Sequence, residues 1–111
     1  MNPRKVDRNR IENLTDLPNV GTATAEDLRL LGIHNPSQLV GQCPFEMYDR
    51  LCKKTAKRHD PCVIDVFISV TRFMAGDEPR PWWEYTEERK QSIIQNGAQQ
   101  RPGTASTIPS K

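Results

Sequence analysis

At 111 residues the chain has room for one domain, which can bury roughly two thirds of its unfolded surface. With 16 Lys and Arg against 14 Asp and Glu, a formal charge of +2, overall charge does not point to nucleic acid, and only local clusters of cations can. Apolar runs of a few residues exclude a membrane span, Asn2, Arg4, Lys5 and Asp7 break any signal peptide, and three cysteines that cannot all pair read as reduced thiols, so a cytoplasmic protein is expected.

Residues 1–8 read as a flexible basic N-terminus. Arg4, Lys5, Arg8 and Arg10 suit an arm along a phosphate backbone, and solubility explains them equally well. Ile11, Leu14 and Leu17, spaced at i, i+3 and i+6, predict a first helix that ends where Pro18 disfavours helical geometry in the residue before it. A second helix begins near Thr22, carries Ala25, Leu28 and Leu31 on one face, holds Glu26 and Asp27 in its first turn, and stops at Gly32. Asn35-Pro36 and Cys43-Pro44 place proline at the first helical position, predicting a short helix stopped by Gly41 and then a longer one. The longer one turns Phe45, Tyr48, Leu51 and Cys52 inward and ends in Lys53, Lys54, Lys57 and Arg58, where cations complement the negative helix end.

Asp60-Pro61 opens the most apolar helix, with Val63, Val66, Phe67, Val70, Phe73 and Met74 on one face and Ile64 and Ile68 beside them. Only Asp65, Ser69 and Arg72 form a polar stripe, which puts this helix at the centre of the core. After Gly76 the stretch Pro79 to Tyr85 reads as irregular, with Trp82, Trp83 and Tyr85 packing across the domain. A last amphipathic helix spans Thr86 to Ile94, and residues 95–111, nearly devoid of large apolar side chains, read as a disordered tail. No segment alternates as a strand does. The expectation is an all-α fold, a compact five- to six-helix domain over residues 9–94.

The informative stretch is Leu17-Pro18-Asn19-Val20-Gly21-Thr22-Ala23-Thr24, in which a tight turn joins two helices as in the helix-hairpin-helix motif. Val20 is placed to plug between the helices, Gly21 permits close backbone approach, and Ala25 and Leu28 pack the second helix on the first. A turn that runs straight into a helix N-terminus presents unpaired N–H groups and the positive end of the helix dipole to a phosphate oxygen, indifferent to base sequence. DNA-binding versions of the motif usually carry glycine where this chain has Asn19 and lysine or a similar residue where it has Ala23; Asn visits positive φ readily, whereas Ala23 removes a cation. The expected contacts are therefore Asn19, Val20, Gly21, Thr22, Ala23 and Thr24, together with the basic helix end Lys53, Lys54, Lys57 and Arg58.

Leu17-Pro18-Asn19-Val20-Gly21, Leu31-Gly32-Ile33, His59-Asp60-Pro61-Cys62, and Trp82-Trp83 followed by Arg89-Lys90 together resemble the pathogenicity-locus or mitomycin-resistance-type helix-hairpin-helix family of small bacterial proteins, over about residues 14–90. The order Gly32-Ile33, Leu39, Tyr48 also looks like the C-terminal domain of bacterial competence regulators. The resemblance implies an all-helical, SAM-like fold with the hairpin near its start. It suggests a DNA-related role, linked to damage response or repair, and carries over no catalytic residue.

Other groups read as bland. Cys62 in the first turn of its helix, three residues from His59, could be a reactive thiol or a small apolar residue under the core. Of Cys43, Cys52, His59 and Cys62, only the last two have zinc-like spacing; His34 has no partner for a site. Trp82, Trp83 and Tyr85 could stack on single strands or pack in the core. With no Gly-rich phosphate loop, no Ser-His-Asp set and no paired acids, a non-enzymatic protein without cofactor or metal is expected. Its partner is DNA, bound weakly through the backbone without sequence preference, or an unknown protein docking on Val20, Trp82 and Trp83.

Overall fold

The computed structural model describes residues 3–99, with side chains over residues 4–92. Among the described residues the chain forms four α-helices, α1 (Thr22–Leu30), α2 (Pro44–Thr55), α3 (Cys62–Met74) and α4 (Thr86–Gln99), joined by short 3-10 turns and without strands. The fold is all-helical as expected, but with four α-helices in place of five or six. Two expected helices, the first and the one after Asn35-Pro36, are 3-10 turns at Leu14–Asp16 and Pro36–Leu39.

The first of these has a local cause. One oxygen of the Asp16 carboxylate accepts from the backbone N–H of Glu12 at 3.0 Å and of Asn13 at 2.8 Å. That gives the chain a closed turn in competition with a helical ladder, and Pro18 stops any continuation. The spacing of three between Ile11, Leu14 and Leu17 fits three residues per turn as well as it fits an α-helix. Leu14 and Leu17 are buried and Ile11 packs at the core margin.

These same bonds hold the Asp16 carboxyl below its ordinary value. A carboxylate whose pKa is lowered by folding contributes stability that is complete above its unfolded pKa and lost as pH falls through the folded one. Asp16→Asn is therefore expected to lower the urea midpoint at neutral pH and to converge on the parent as pH falls through the lowered pKa of Asp16. A deficit that stays constant across an acid titration would show that the charge is not what closes this turn.

α1 ends in a left-handed Gly32 at φ +85, with Ile33 N–H donating to Leu28 O at 3.0 Å and Gly32 N–H to Arg29 O at 2.9 Å. Ile33 then packs with Leu28 in the core, as this type of helix end favours. In α2 the fully buried side chains are Met47 and Leu51, while Phe45, Tyr48 and Cys52 are only half-buried, so the inward face lies to one side of the expected one. α3 is the centre: Phe67, Val70 and Phe73 meet the cluster of Leu14, Leu17, Val20, Leu28 and Leu39, and Ile64 and Ile68 meet Tyr85.

Its polar stripe is mostly interior. Asp65 and Ser69 are buried, and Arg72 alone reaches the surface. Asp65 accepts from Thr86 Oγ1 at 2.6 Å and from Arg89 Nε at 2.8 Å, which fastens α4 to α3. At the other end of α3, the Arg8 guanidinium lies 4.1 Å over the Phe73 ring and donates to the carbonyls of Phe73 and Asp77, a cation on the negative helix end. α4 runs past the expected limit of Ile94 to Gln99; the rest of the expected tail lies outside the described residues.

Candidate nucleic-acid interface

The corner between the Leu14–Asp16 turn and α1 is built around two residues facing opposite ways. Val20 is fully buried and fills the place of a plug, so its side chain is unavailable to any ligand. Asn19 takes the left-handed conformation at φ +67, which Asn tolerates better than most residues. Its side chain makes three long-range bonds. Nδ2 donates to Ser69 Oγ at 3.0 Å and to the carbonyl of Arg80 at 2.7 Å, and Oδ1 accepts from the backbone N–H of Trp82 at 3.2 Å. Asn19 thus pins the strap running from Arg80 to Tyr85 against the corner.

Immediately after, the main chain is bare. Gly21 is the cap of α1 and offers no side chain, and the first amide turned back on the protein is that of Ala25, donating to Gly21 O at 3.0 Å. Among the described residues the N–H groups of Gly21, Thr22, Ala23 and Thr24 have no protein acceptor. Gly21, Thr22 and Ala23 are exposed and Thr24 is half-buried. Gly21 has an ordinary φ of −97, and a Cβ added there would meet nothing within 4 Å, so neither conformation nor packing demands glycine; its absence of a side chain leaves the amides approachable. Because α1 starts at Thr22, Glu26 and Asp27 fall beyond the first turn, contrary to expectation, and that turn holds no carboxylate of its own.

The basic helix end is a separate feature. Lys53 pairs with Asp49 at 3.0 Å, Arg58 lies beside the Tyr48 hydroxyl, and Lys54 and Lys57 are exposed without an ion pair among the described residues. α2 is tied to α1 by Arg50 Nη2 donating to Leu31 O at 2.8 Å, at the opposite end of α1 from the corner. A helix of nine residues separates these ends by about 13 Å. Arg80 comes to the corner through its backbone carbonyl, which accepts from Asn19, while Arg80 also lines a shallow depression with Arg4, Glu78, Pro79 and Glu84. Sequence reading passed over it, because an arginine between two prolines carries no local sign of its neighbours sixty residues earlier.

The strap also corrects the expectation that all three aromatics pack across the domain. Tyr85 is buried and Trp82 half-buried, but Trp83 is 59% exposed, with its ring meeting Trp82 edge to face at 5.6 Å. The remaining candidates make no site. A hydrogen bond to Asp60 pushes the Cys62 thiol up, away from the reactive thiolate, and burial adds to it. His59 shares a hydrogen bond with Thr55 Oγ1 at 2.8 Å. Among the described residues no three His, Cys, Asp or Glu side chains come together as a metal site, and no helix is long and apolar enough to cross a membrane.

Residues 7–91 match the family described as Pathogenicity locus. The chain is also similar to the "Mitomycin resistance protein McrB" of Streptomyces lavendulae, 38% identical over 93 residues, which covers 84% of this chain and 89% of that protein. No solved structure matches.

Proposed function

The chain belongs to the pathogenicity-locus family, and from that premise we propose that it binds the sugar–phosphate backbone of DNA weakly and without base preference, in a setting of DNA damage response or repair. The corner serves as the hairpin of a helix-hairpin-helix whose leading arm is shortened to one 3-10 turn. The single observation that supports this most is the run of four unpartnered amides at the start of α1, with the dipole behind them and no acidic residue in that first turn. Arg80, Lys54 and Lys57 are exposed cations without an ion pair among the described residues, and Arg80 is tied to the corner through its backbone. Contact to two to four phosphates corresponds to micromolar or weaker binding with strong salt dependence. Docking of another protein on Val20, Trp82 and Trp83 is less well supported, since Val20 is fully buried.

Thr22→Pro tests the reading with little disturbance. Proline suits the first helical position, where its fixed φ matches the helix and its missing N–H was unbonded, and Gly21 already has the extended backbone that proline requires before it. The variant is expected to keep its urea midpoint while binding random duplex about three- to tenfold more weakly, the net effect of one lost solvent-exposed hydrogen bond of about 1 kcal/mol. Lys54→Glu with Lys57→Glu should flatten the slope of log affinity against log salt by about one to two if that helix end shares the backbone. No binding of the parent protein to any nucleic acid at low salt, or full binding by Thr22→Pro, overturns the assignment.

A further inference from the structure

We propose that the exposed face of Trp83 is a stacking surface for an unpaired base, so that this protein favours single-stranded or frayed nucleic acid over an uninterrupted duplex. The choice of nucleic acid as partner rests on the backbone-binding reading above; the preference for unpaired bases comes from the strap alone.

Trp83 is held in place rather than loosely displayed. It sits in the 3-10 turn Trp82–Tyr85, between Pro81 and Tyr85, both buried. With three residues per turn, successive side chains diverge by about 120°, so Trp82 turns toward the protein while Trp83 turns out. Trp82 then braces it, ring edge to ring face at an interplanar angle of 84°, and the Trp82 amide is fastened to Asn19 at the corner. A ring fixed in this way loses little conformational freedom when a base covers it.

The charges around it suit a nucleic acid better than an apolar protein surface. Arg80, three residues earlier on the same strap, has no ion-pair partner among the described residues, and Glu84, next to Trp83, is taken up by an ion pair with Arg4. Glu78 and Asp77 are nearby carboxylates without an ion pair among the described residues. The other large apolar side chains exposed among the described residues are Leu30, at the far end of α1, and Val40, after the Pro36–Leu39 turn, so Trp83 is the one that the strap carries. Stacking on an aromatic ring needs only the face of a base, which a strand offers freely and a duplex keeps inside its own stack.

Fluorescence anisotropy of the full chain with three labelled probes tests this: an oligothymidylate of about 12 nucleotides, a strand of abasic sites of the same length, and a blunt random duplex. The parent is expected to bind oligothymidylate about tenfold more tightly than the abasic strand. Trp83→Ala should abolish that preference while leaving the abasic strand, the duplex and the urea midpoint within about twofold or unchanged, and Trp83→Phe should restore most of it. Equal binding of oligothymidylate by Trp83→Ala and the parent, with the duplex still bound, overturns the stacking role alone. Failure of all three probes to bind at low salt overturns the backbone reading and the stacking role together.

Discussion

Replacing Arg89 with methionine is expected to remove about 3 to 5 kcal/mol of folding stability, the largest loss from any single charged side chain here. Asp65 has no exposed side-chain surface, and Arg89 is 11% exposed. The carboxylate has three contacts: Arg89 Nε at 2.8 Å, Thr86 Oγ1 at 2.6 Å, and a longer approach of Arg89 Nη2 at 3.4 Å. Methionine keeps most of the packing volume but leaves an ionised carboxylate on α3 with one hydroxyl for company, in a region lined by Ile64, Ile68 and Tyr85. Domains of this size have about 5 to 15 kcal/mol in total, so the variant should be marginally folded at room temperature. Asp65→Leu on the Arg89→Met background should recover most of the loss, because well-packed apolar side chains replace a buried pair at little net penalty. Urea denaturation of the two variants against the parent decides it. A loss below about 1 kcal/mol in the single variant would mean that water reaches Asp65 and that the pair behaves as a surface ion pair.

That pair also marks a limit of what the sequence discloses. Asp65 sits in the most apolar helix of the chain and, with Ser69 and Arg72, reads as the polar stripe of an amphipathic element. Its partner is 24 residues away and its burial depends on where α4 lies, which no local pattern specifies. Signals that act within a turn or two are readable by contrast: Pro44 and Asp60-Pro61 open α2 and α3, Gly32 and Gly76 close α1 and α3 in left-handed conformations, and Val20 fills the corner. The segment Ile11 to Leu17 fell between two periods, since a spacing of three cannot distinguish a 3-10 turn from an α-helix, and the polar residues Asn13 and Asp16 decided the matter by closing their own turn. At the candidate interface the free amides followed from the turn-into-helix pattern. The place of the strap did not, because Arg80 and Trp82 are joined to the corner through the side chain of Asn19; the sequence raised Trp83 as a stacking ring but left its exposure open.

Asn19→Gly separates two accounts of that residue. If Asn19 is there only to tolerate a positive φ, glycine is the better choice, and the variant should be as stable as the parent or slightly more so. If its side chain is the clasp between corner and strap, glycine removes three hydrogen bonds at once. Ser69 keeps a partner, since its hydroxyl donates to Val66 O at 2.6 Å, and the Arg80 carbonyl is exposed enough to find water. The Trp82 amide is part-buried and is the group left worst off. Allowing about 1 kcal/mol for each bond and setting the relief of φ strain against it, a net loss of about 2 kcal/mol is expected. The strap should loosen as well, seen as a weaker near-ultraviolet circular dichroism signal from Trp82 and Trp83 and as a red shift of their emission. In binding, duplex affinity through the α1 amides should persist, because glycine suits the corner, while any preference for unpaired bases should fall with the freedom given to Trp83. An unchanged urea midpoint together with an unchanged tryptophan spectrum would leave the clasp without a role, and Asn19 would then be no more than a substitute for glycine in a tight turn.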